Sequence, residues 1–290
     1  MVNRAARTAA HSLRRLLMSV GADALIPAIS RRVPADWLWT KVRPDIDMYP
    51  RPTIRRIQRN GIRLDVDLSD YVQWLIYFSI EEKLRHTLYA LAHPGDVVLD
   101  VGSNIGEILL NFARIAGPRG RAIGFEANPE TCQRCQSNIA LNRFDNVAVN
   151  AIGVGSEEGE LYFGHRSDSN SGADSIMAAG DGTIKVPVTT IDRFAEAHSL
   201  PRVDLIKIDV EGYEMHVLRG ADATLREHRP KLFIELCDNN LREQGSSAAE
   251  LVGLLEQRDY SVRNAETGAL VASSDNFVGC FLDIVCRPGS

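Results

Sequence analysis

Val97-Val-Leu-Asp100-Val-Gly102-Ser103-Asn104-Ile105-Gly106-Glu107 reads as a buried strand that runs into a glycine turn and then into a helix. A short apolar run bounded by turn residues suits a parallel strand buried on both faces. Gly102 lets the chain turn without a Cβ clash, and Gly106 lets the new helix start close to the sheet or to a ligand. Such a turn sits at the carboxyl ends of the strands, where open α/β sheets bind their ligands. A G-x-x-x-G turn alone is weak evidence, and Asp100 strengthens it. A carboxylate ending an otherwise apolar strand needs a polar partner, because burying an unpaired charge is costly. Local backbone N–H groups are the alternative partner to a ligand.

Outward from this turn the chain alternates strand and helix. The pattern predicts strands at Ala122–Phe125, Val147–Val154, Ile184–Val188, Leu205–Val210 and Leu232–Leu236. Between and after them it predicts helices at Ile105–Ala116, Pro129–Leu141, Ile191–Ala197, Tyr213–Glu227 and Ala248–Arg258. Two terminal strands, near Tyr260–Arg263 and Phe277–Val285, close the chain. This rhythm predicts a mostly parallel sheet with helices on both faces, a Rossmann-like α/β fold. On the amino-terminal side, alternation from Gly61 to Leu68 predicts a half-buried strand, and Glu81 to Leu91 a helix ended by His93-Pro94-Gly95. The expected organisation is a basic extension over 1–60, a leading strand and helix over 61–95, and a Rossmann-like core over 96–290.

The 290 residues are 44% hydrophobic and 24% charged, which excludes a disordered chain. No window approaches about 18 uninterrupted apolar residues, so no membrane-spanning helix is expected. The net charge of -5 argues against a nucleic-acid partner. That charge is uneven: residues 1–60 carry +8 and the remainder -13. The basic head, with Leu13, Leu16 and Leu17 at helical spacing, is either a solvated helix or a peripheral contact with an anionic membrane surface. Five thinly spread cysteines do not form a disulfide framework and read as reduced thiols of a cytoplasmic protein. Cys132-Gln-Arg-Cys135 has no second pair at zinc spacing and reads as buried helix thiols.

Glu126 ends the next strand, twenty residues after Gly106. An acid about twenty residues beyond a glycine turn is where a ribose diol is gripped, which implies an adenosine-containing cofactor. The turn lacks G-x-G-x-x-G spacing, and Asp100 would repel a pyrophosphate. Both points favour S-adenosylmethionine, a phosphate-free sulfonium, over a nicotinamide dinucleotide.

Leu205-Ile-Lys207-Ile-Asp209-Val-Glu211 places charges at every second position, so Lys207, Asp209 and Glu211 share one strand face. Charges on a central parallel strand must pair with one another or line a wet cleft. Asp209 and Glu211 are the candidate general bases, with Lys207 orienting them. His165 and His216 are rival bases, and Glu81 and Glu82 are candidates to close the site. No metal is expected. The alternative, Asp209 with Asp238-Asn239, resembles the divalent site of catechol-type O-methyltransferases. The polar stretch Ser167–Gly182 reads as an acceptor-recognition loop.

Asp100-Val-Gly-Ser-Asn-Ile-Gly106, Gly124-Phe-Glu-Ala-Asn-Pro129 and Ile206-Lys-Ile-Asp-Val-Glu-Gly-Tyr-Glu214, in this order, resemble the FkbM family of S-adenosylmethionine-dependent methyltransferases. Ala151-Ile-Gly-Val-Gly155, Leu218-Arg-Gly220 and Phe233-Ile-Glu235 are further matches. The resemblance implies a class I methyltransferase fold, a seven-stranded sheet with an antiparallel last strand. It implies that Asp100, Gly102, Ser103, Asn104 and Gly106 line the methionine part of the donor and that Glu126 binds the ribose. Ala127 and Asn128 would flank the adenine, and Ala151 and Ile152 would lie at its edge. The family often has Pro where Ala127 stands and Ala where Ser103 stands. The implied activity is O-methylation of a sugar, glycolipid or polyketide-like natural product. A nicotinamide-dependent oxidoreductase and a non-catalytic membrane-peripheral module are the competing readings.

Overall fold

The computed structural model describes residues 12–18, 25, 26, 29, 39, 41–80, 82–164, 175–177 and 183–289. The chain divides into two compact units, one of Met1–Ile57 with Asp65–Glu82, the other of Gln58–Leu64 with Lys83–Ser290. Strands β1 (Ile54–Arg59) and β2 (Ile62–Asp67) form a two-stranded sheet. In the first unit residues 12–18 are helical. Helix α1 (Tyr71–Phe78) starts where the Asp70 side chain accepts from Gln73 N. The Trp74 indole donates to the Pro44 carbonyl at 3.1 Å, and the Arg43 guanidinium lies over the Trp74 ring. No helix among the described residues is long and apolar enough to cross a membrane.

Along the chain, α2 (Glu82–Tyr89) and β3 (Val97–Val101) come next, followed by α3 (Glu107–Ala116), β4 (Arg121–Phe125), α4 (Pro129–Ala140) and β5 (Val147–Asn150). Next come β6 (Gly153–Val154), β7 (Gly159–Gly164), β8 (Ser175–Met177), β9 (Thr183–Thr189) and α5 (Ile191–Ala197). The chain ends with β10 (Leu205–Ile208), α6 (Glu214–Arg219), α7 (Asp222–Glu227), β11 (Lys231–Cys237), α8 (Asp238–Glu243), α9 (Ala248–Gln257), β12 (Tyr260–Asn264) and β13 (Phe281–Pro288).

The main sheet has seven strands in the order β12-β13-β11-β10-β3-β4-β5. Its strands run parallel except β13, which is antiparallel to both β11 and β12. The architecture is therefore the expected one, with the last strand antiparallel. β3 is buried along its whole length, as a central strand covered on both faces must be. One face packs Leu99, Val101, Ile206 and Ile234 against α5, α6 and α9, and the other packs Val98, Leu205 and Phe233 against α2 and α3.

Two expectations fail locally. The run Val147–Val154 is two strands, since β5 belongs to the main sheet and β6 to a separate four-stranded sheet, β6-β9-β7-β8. The helix expected over Tyr213–Glu227 breaks at Gly220-Ala221. There the Asp192 carboxylate accepts from Ala223 N and Thr224 N, each at 2.8 Å, and caps a new helix.

Candidate active site

The strand order changes direction at β3, between β10 and β4, so a crevice opens at the carboxyl ends of these strands. Gly102 and Ser103 N–H both donate to the Phe125 carbonyl at 3.0 Å, folding the turn against β4. Gly102 has φ +80, and a Cβ there would press into the Asp209 carbonyl oxygen. Gly106 has φ +88, and a Cβ there would lie 2.6 Å from Cys135 Sγ. Both glycines are thus required by close approach, the first by β10 and the second by α4. Asn104 adopts φ +46 and completes the turn.

Asp100 is fully buried, with 0% exposure. Both of its carboxylate oxygens lack a hydrogen-bond donor among the described residues. Its nearest cation is Lys207 Nζ, 3.5 Å from Oδ1. The Ser103 hydroxyl donates to the Asp100 backbone carbonyl rather than to its side chain. Burial pushes the carboxyl up to about 6, against the pull of Lys207.

Glu126 behaves differently. One oxygen accepts from Asn104 N at 2.8 Å and the other from Asn128 N at 3.0 Å, so the acid ties the glycine turn to the start of α4. The Asn128 side chain caps that helix, accepting from Glu130 N and Thr131 N. Ala151 is exposed and Ile152 half-buried just beyond β5.

Lys207 is buried, and its ammonium donates to the Gly102 carbonyl at 2.7 Å. It also lies 3.3 Å from Asp209 Oδ2. Burial works against its charge, but Asp209 and Asp100 outweigh that and hold its pKa above the usual lysine value. Asp209 is 39% exposed and opens to the crevice. Glu211, in a left-handed conformation, receives a hydrogen bond from Asn240 Nδ2 at 2.8 Å. The structure therefore brings Asp100, Lys207, Asp209 and Glu211 to one end of the sheet, beside the glycine turn.

Other expectations change. Asp238 is committed elsewhere, accepting from Ala248 N at 2.9 Å and Arg242 Nε at 2.7 Å, so it is not available as a metal ligand with Asp209. The acid that does join Asp209 and Glu211 is Glu235. Carboxylate oxygens of these three lie within 4.8 Å of one another. Its sequence signals are the charge it places within the apolar run of β11 and its position in the Phe233-Ile-Glu235 match. His216 stacks on Tyr213 at 4.1 Å and contacts the Gln244 carbonyl, which leaves it a packing role in α6. Cys132 and Cys135 are buried and unbridged. His165, Glu81, the Glu82 side chain and, apart from the β8 backbone, the loop 167–182 lie outside the described residues.

Buried negative charge at Asp100 and the Glu126 carboxylate, both beside the glycine turn, suit a cationic nucleoside and disfavour a phosphate. The comparisons agree with this chemistry. The family model described as "Methyltransferase FkbM domain" matches residues 100–262. Hexuronic acid methyltransferase AglP of Haloferax volcanii is 30% identical over 176 residues, covering 60% of this chain and 70% of that protein. 2-O-methyltransferase NoeI of Sinorhizobium fredii is 26% identical over 176 residues, covering 55% and 70% respectively. A solved FkbM methyltransferase from Methylobacillus flagellatus aligns at 18% identity with TM-score 0.43, over 76% of this chain and about half, 53%, of that one.

Proposed function

Because the chain belongs to the FkbM methyltransferase family and is an S-adenosylmethionine-dependent methyltransferase, we propose that it methylates a hydroxyl of a sugar, glycolipid or polyketide-like natural product. Membership sets aside the nicotinamide-dependent reading. The names of two relatives, a hexuronic acid methyltransferase and a 2-O-methyltransferase, support a sugar hydroxyl as acceptor. The observation that carries the reading is the partly exposed Asp209 carboxylate, held by the buried Lys207 that also lies 3.5 Å from the buried Asp100.

Bound S-adenosylmethionine supplies an electrophilic methyl on a sulfonium. The chain's own residues do the rest. Asp100 offers buried negative charge to the donor's cationic groups, and the Glu126 carboxylate, tied to the backbone on both sides of the glycine turn, accepts from the ribose hydroxyls. Gly102, Ser103, Asn104 and Gly106 shape the floor under the donor, while Ala127, Asn128, Ala151 and Ile152 border its base. Lys207 fixes Asp209, and Asp209 takes the proton of the acceptor hydroxyl as its oxygen is alkylated. Glu211 is the second candidate acceptor of that proton. Alignment of the reacting atoms supplies several kcal/mol of the barrier, and base assistance about 10²–10⁴-fold.

Donor affinity should depend on pH. The cationic donor favours ionised Asp100, whose carboxyl burial pushes up to about 6. Affinity therefore rises with pH through that value and levels off above it. Calorimetric titrations across this range should show the trend in the wild type and lose it in Asp100→Asn. A wild-type affinity independent of pH would remove Asp100 from the donor site.

Transfer of label from methyl-labelled S-adenosylmethionine to a panel of glycosides, polyketide-like alcohols and amines tests the acceptor class. Label on hydroxyl oxygen is expected. Label confined to the amines would overturn the proposal. In the same assay Glu126→Ala should weaken donor binding.

A further inference from the structure

Sheet register carries the face of Asp209 out to the rim of the sheet. Lys207 is the partner of Phe233 across β10 and β11, and Phe233 is the partner of Val285 across β11 and β13. Two residues further on, Glu235 pairs with Asp283, and two beyond that Cys237 pairs with Phe281. Partners project from the same face, as do residues two apart on a strand. Asp209, two residues beyond Lys207, shares this face, and its carboxylate lies within 4.8 Å of that of Glu235. Phe281 therefore stands on the face of the base, about 7 Å beyond the Glu235–Asp283 pair toward the carboxyl ends of the parallel strands.

Phe281 is 68% exposed, and Val278, three residues before it, is 84% exposed. The turn that presents them is anchored at several points. Phe277 is buried in the core, and Cys280 N donates to its carbonyl at 2.9 Å. Asp238 N donates to the Cys280 carbonyl at 3.3 Å, and the Asn276 side chain accepts from Val278 N at 3.1 Å. Below the rim the same face is covered, since Phe233 and Val285 belong to the core shared with α2 and α3. Two apolar side chains left in water on one anchored turn, at the edge of a site, mark a surface that a ligand covers.

We infer that Val278 and Phe281 form the acceptor-binding rim and that the acceptor is amphiphilic: its apolar chain lies on these two side chains while the attached hydroxyl reaches Asp209. The inference rests on the reading of Asp209 as the base and of the turn after β3 as the donor site. The strand order puts β3 and β4, which carry the donor residues, on one side of β10, and β11 and β13 on the other. In-line displacement sets the acceptor oxygen across the methyl carbon from the sulfur. An acceptor that enters over β11 and β13 meets that requirement, whereas the path over β3 and β4 is filled by the donor. In the step, the acceptor oxygen bonds to the methyl carbon, the carbon–sulfur bond breaks with its electron pair left on sulfur, and the hydroxyl proton passes to Asp209. Among the acceptors proposed above, this favours a glycolipid or a polyketide-like alcohol over a bare sugar.

Matched methyl and octyl glycosides, with a long-chain secondary alcohol beside them, test the rim in the full chain, each held below the concentration at which it forms micelles. Wild-type protein should prefer the octyl to the methyl glycoside by about tenfold or more in kcat/KM, as burial of a few methylene groups implies. In the double variant Val278→Ser, Phe281→Ser that preference should largely vanish through a higher KM for the octyl glycoside. Donor affinity and denaturant midpoint should stay near wild type, because both side chains are exposed. Preference for the octyl glycoside over the alcohol identifies a glycolipid-like acceptor, and the reverse a polyketide-like one. Equal use of the two glycosides by wild type, or a preference that survives both substitutions, would overturn the inference. So would a wild-type rim that mediates self-association or vesicle binding, lost in the variant, while the preference persists. A second readout needs no transfer: protein saturated with S-adenosylhomocysteine should bind the octyl glycoside or the alcohol calorimetrically in the wild type and lose that binding in the variant, and absence of wild-type binding to both is the opposing result. Failure of the broader reading looks different, as an amphiphile that binds at the rim and is never methylated.

Discussion

Asp209→Asn is expected to lower methyl transfer by about 10²–10⁴-fold, the range in which a positioned general base contributes, while leaving affinity for S-adenosylmethionine nearly unchanged. The two effects separate because Asp209 stands at the open edge of the site, 39% exposed, whereas the donor side is built from the turn after β3. The amide keeps the shape of the side chain but cannot take a proton at neutral pH. Lys207 is not orphaned by the change, since it retains the Gly102 carbonyl at 2.7 Å and Asp100 at 3.5 Å. Single-turnover transfer, read beside calorimetric donor binding, checks the result. Wild-type turnover in Asp209→Asn would pass the role of base to Glu211. Loss of donor binding equal to the loss of turnover would make Asp209 a donor ligand instead.

Gly102→Ala should be the most damaging of the glycine substitutions to both stability and donor binding. The added Cβ would drive into the backbone carbonyl of Asp209 and lie 3.3 Å from Val210 Cγ1, so the end of β10 must move. Steric overpacking of this kind costs about 1–3 kcal/mol, and the left-handed backbone at φ +80 adds about 1–2 kcal/mol. Gly95→Ala separates the two contributions. Gly95 has φ +92 but nothing within 4 Å of its Cβ position, so only the backbone strain applies. Denaturant midpoints should therefore fall clearly further for Gly102→Ala than for Gly95→Ala, with donor binding lost in the first alone. Equal losses would mean that the approach of the two strands is loose enough to absorb a methyl group.

What could be read along the chain was what is decided locally. β3, β4 and their following helices emerge from apolar runs, glycine turns and a proline at the start of α4, and each lies within a residue or two of its expected bounds. The run Val147–Val154 misled because apolar continuity says nothing about which sheet a residue joins. Asn150 ends the main-sheet strand, and Gly153 pairs with Val188 of a different sheet. The break between α6 and α7 was equally hidden, because the group that caps α7 is Asp192 from α5.

The site divides in the same way. The sequence by itself determined the strand–turn–helix at Asp100–Gly106, the acid at Glu126 and the shared face of Lys207, Asp209 and Glu211, since these follow from backbone periodicity and from glycine's tolerance of positive φ. Only the tertiary structure decided how those groups are used. It took Asp238 out of reach by committing it to Ala248 N and Arg242. It also set Glu235 and Asp283 in line with Asp209 by fixing the register of β10, β11 and β13. Whether a carboxyl carries a charge depends on which neighbours folding brings within a few ångströms, and no local pattern encodes that distance.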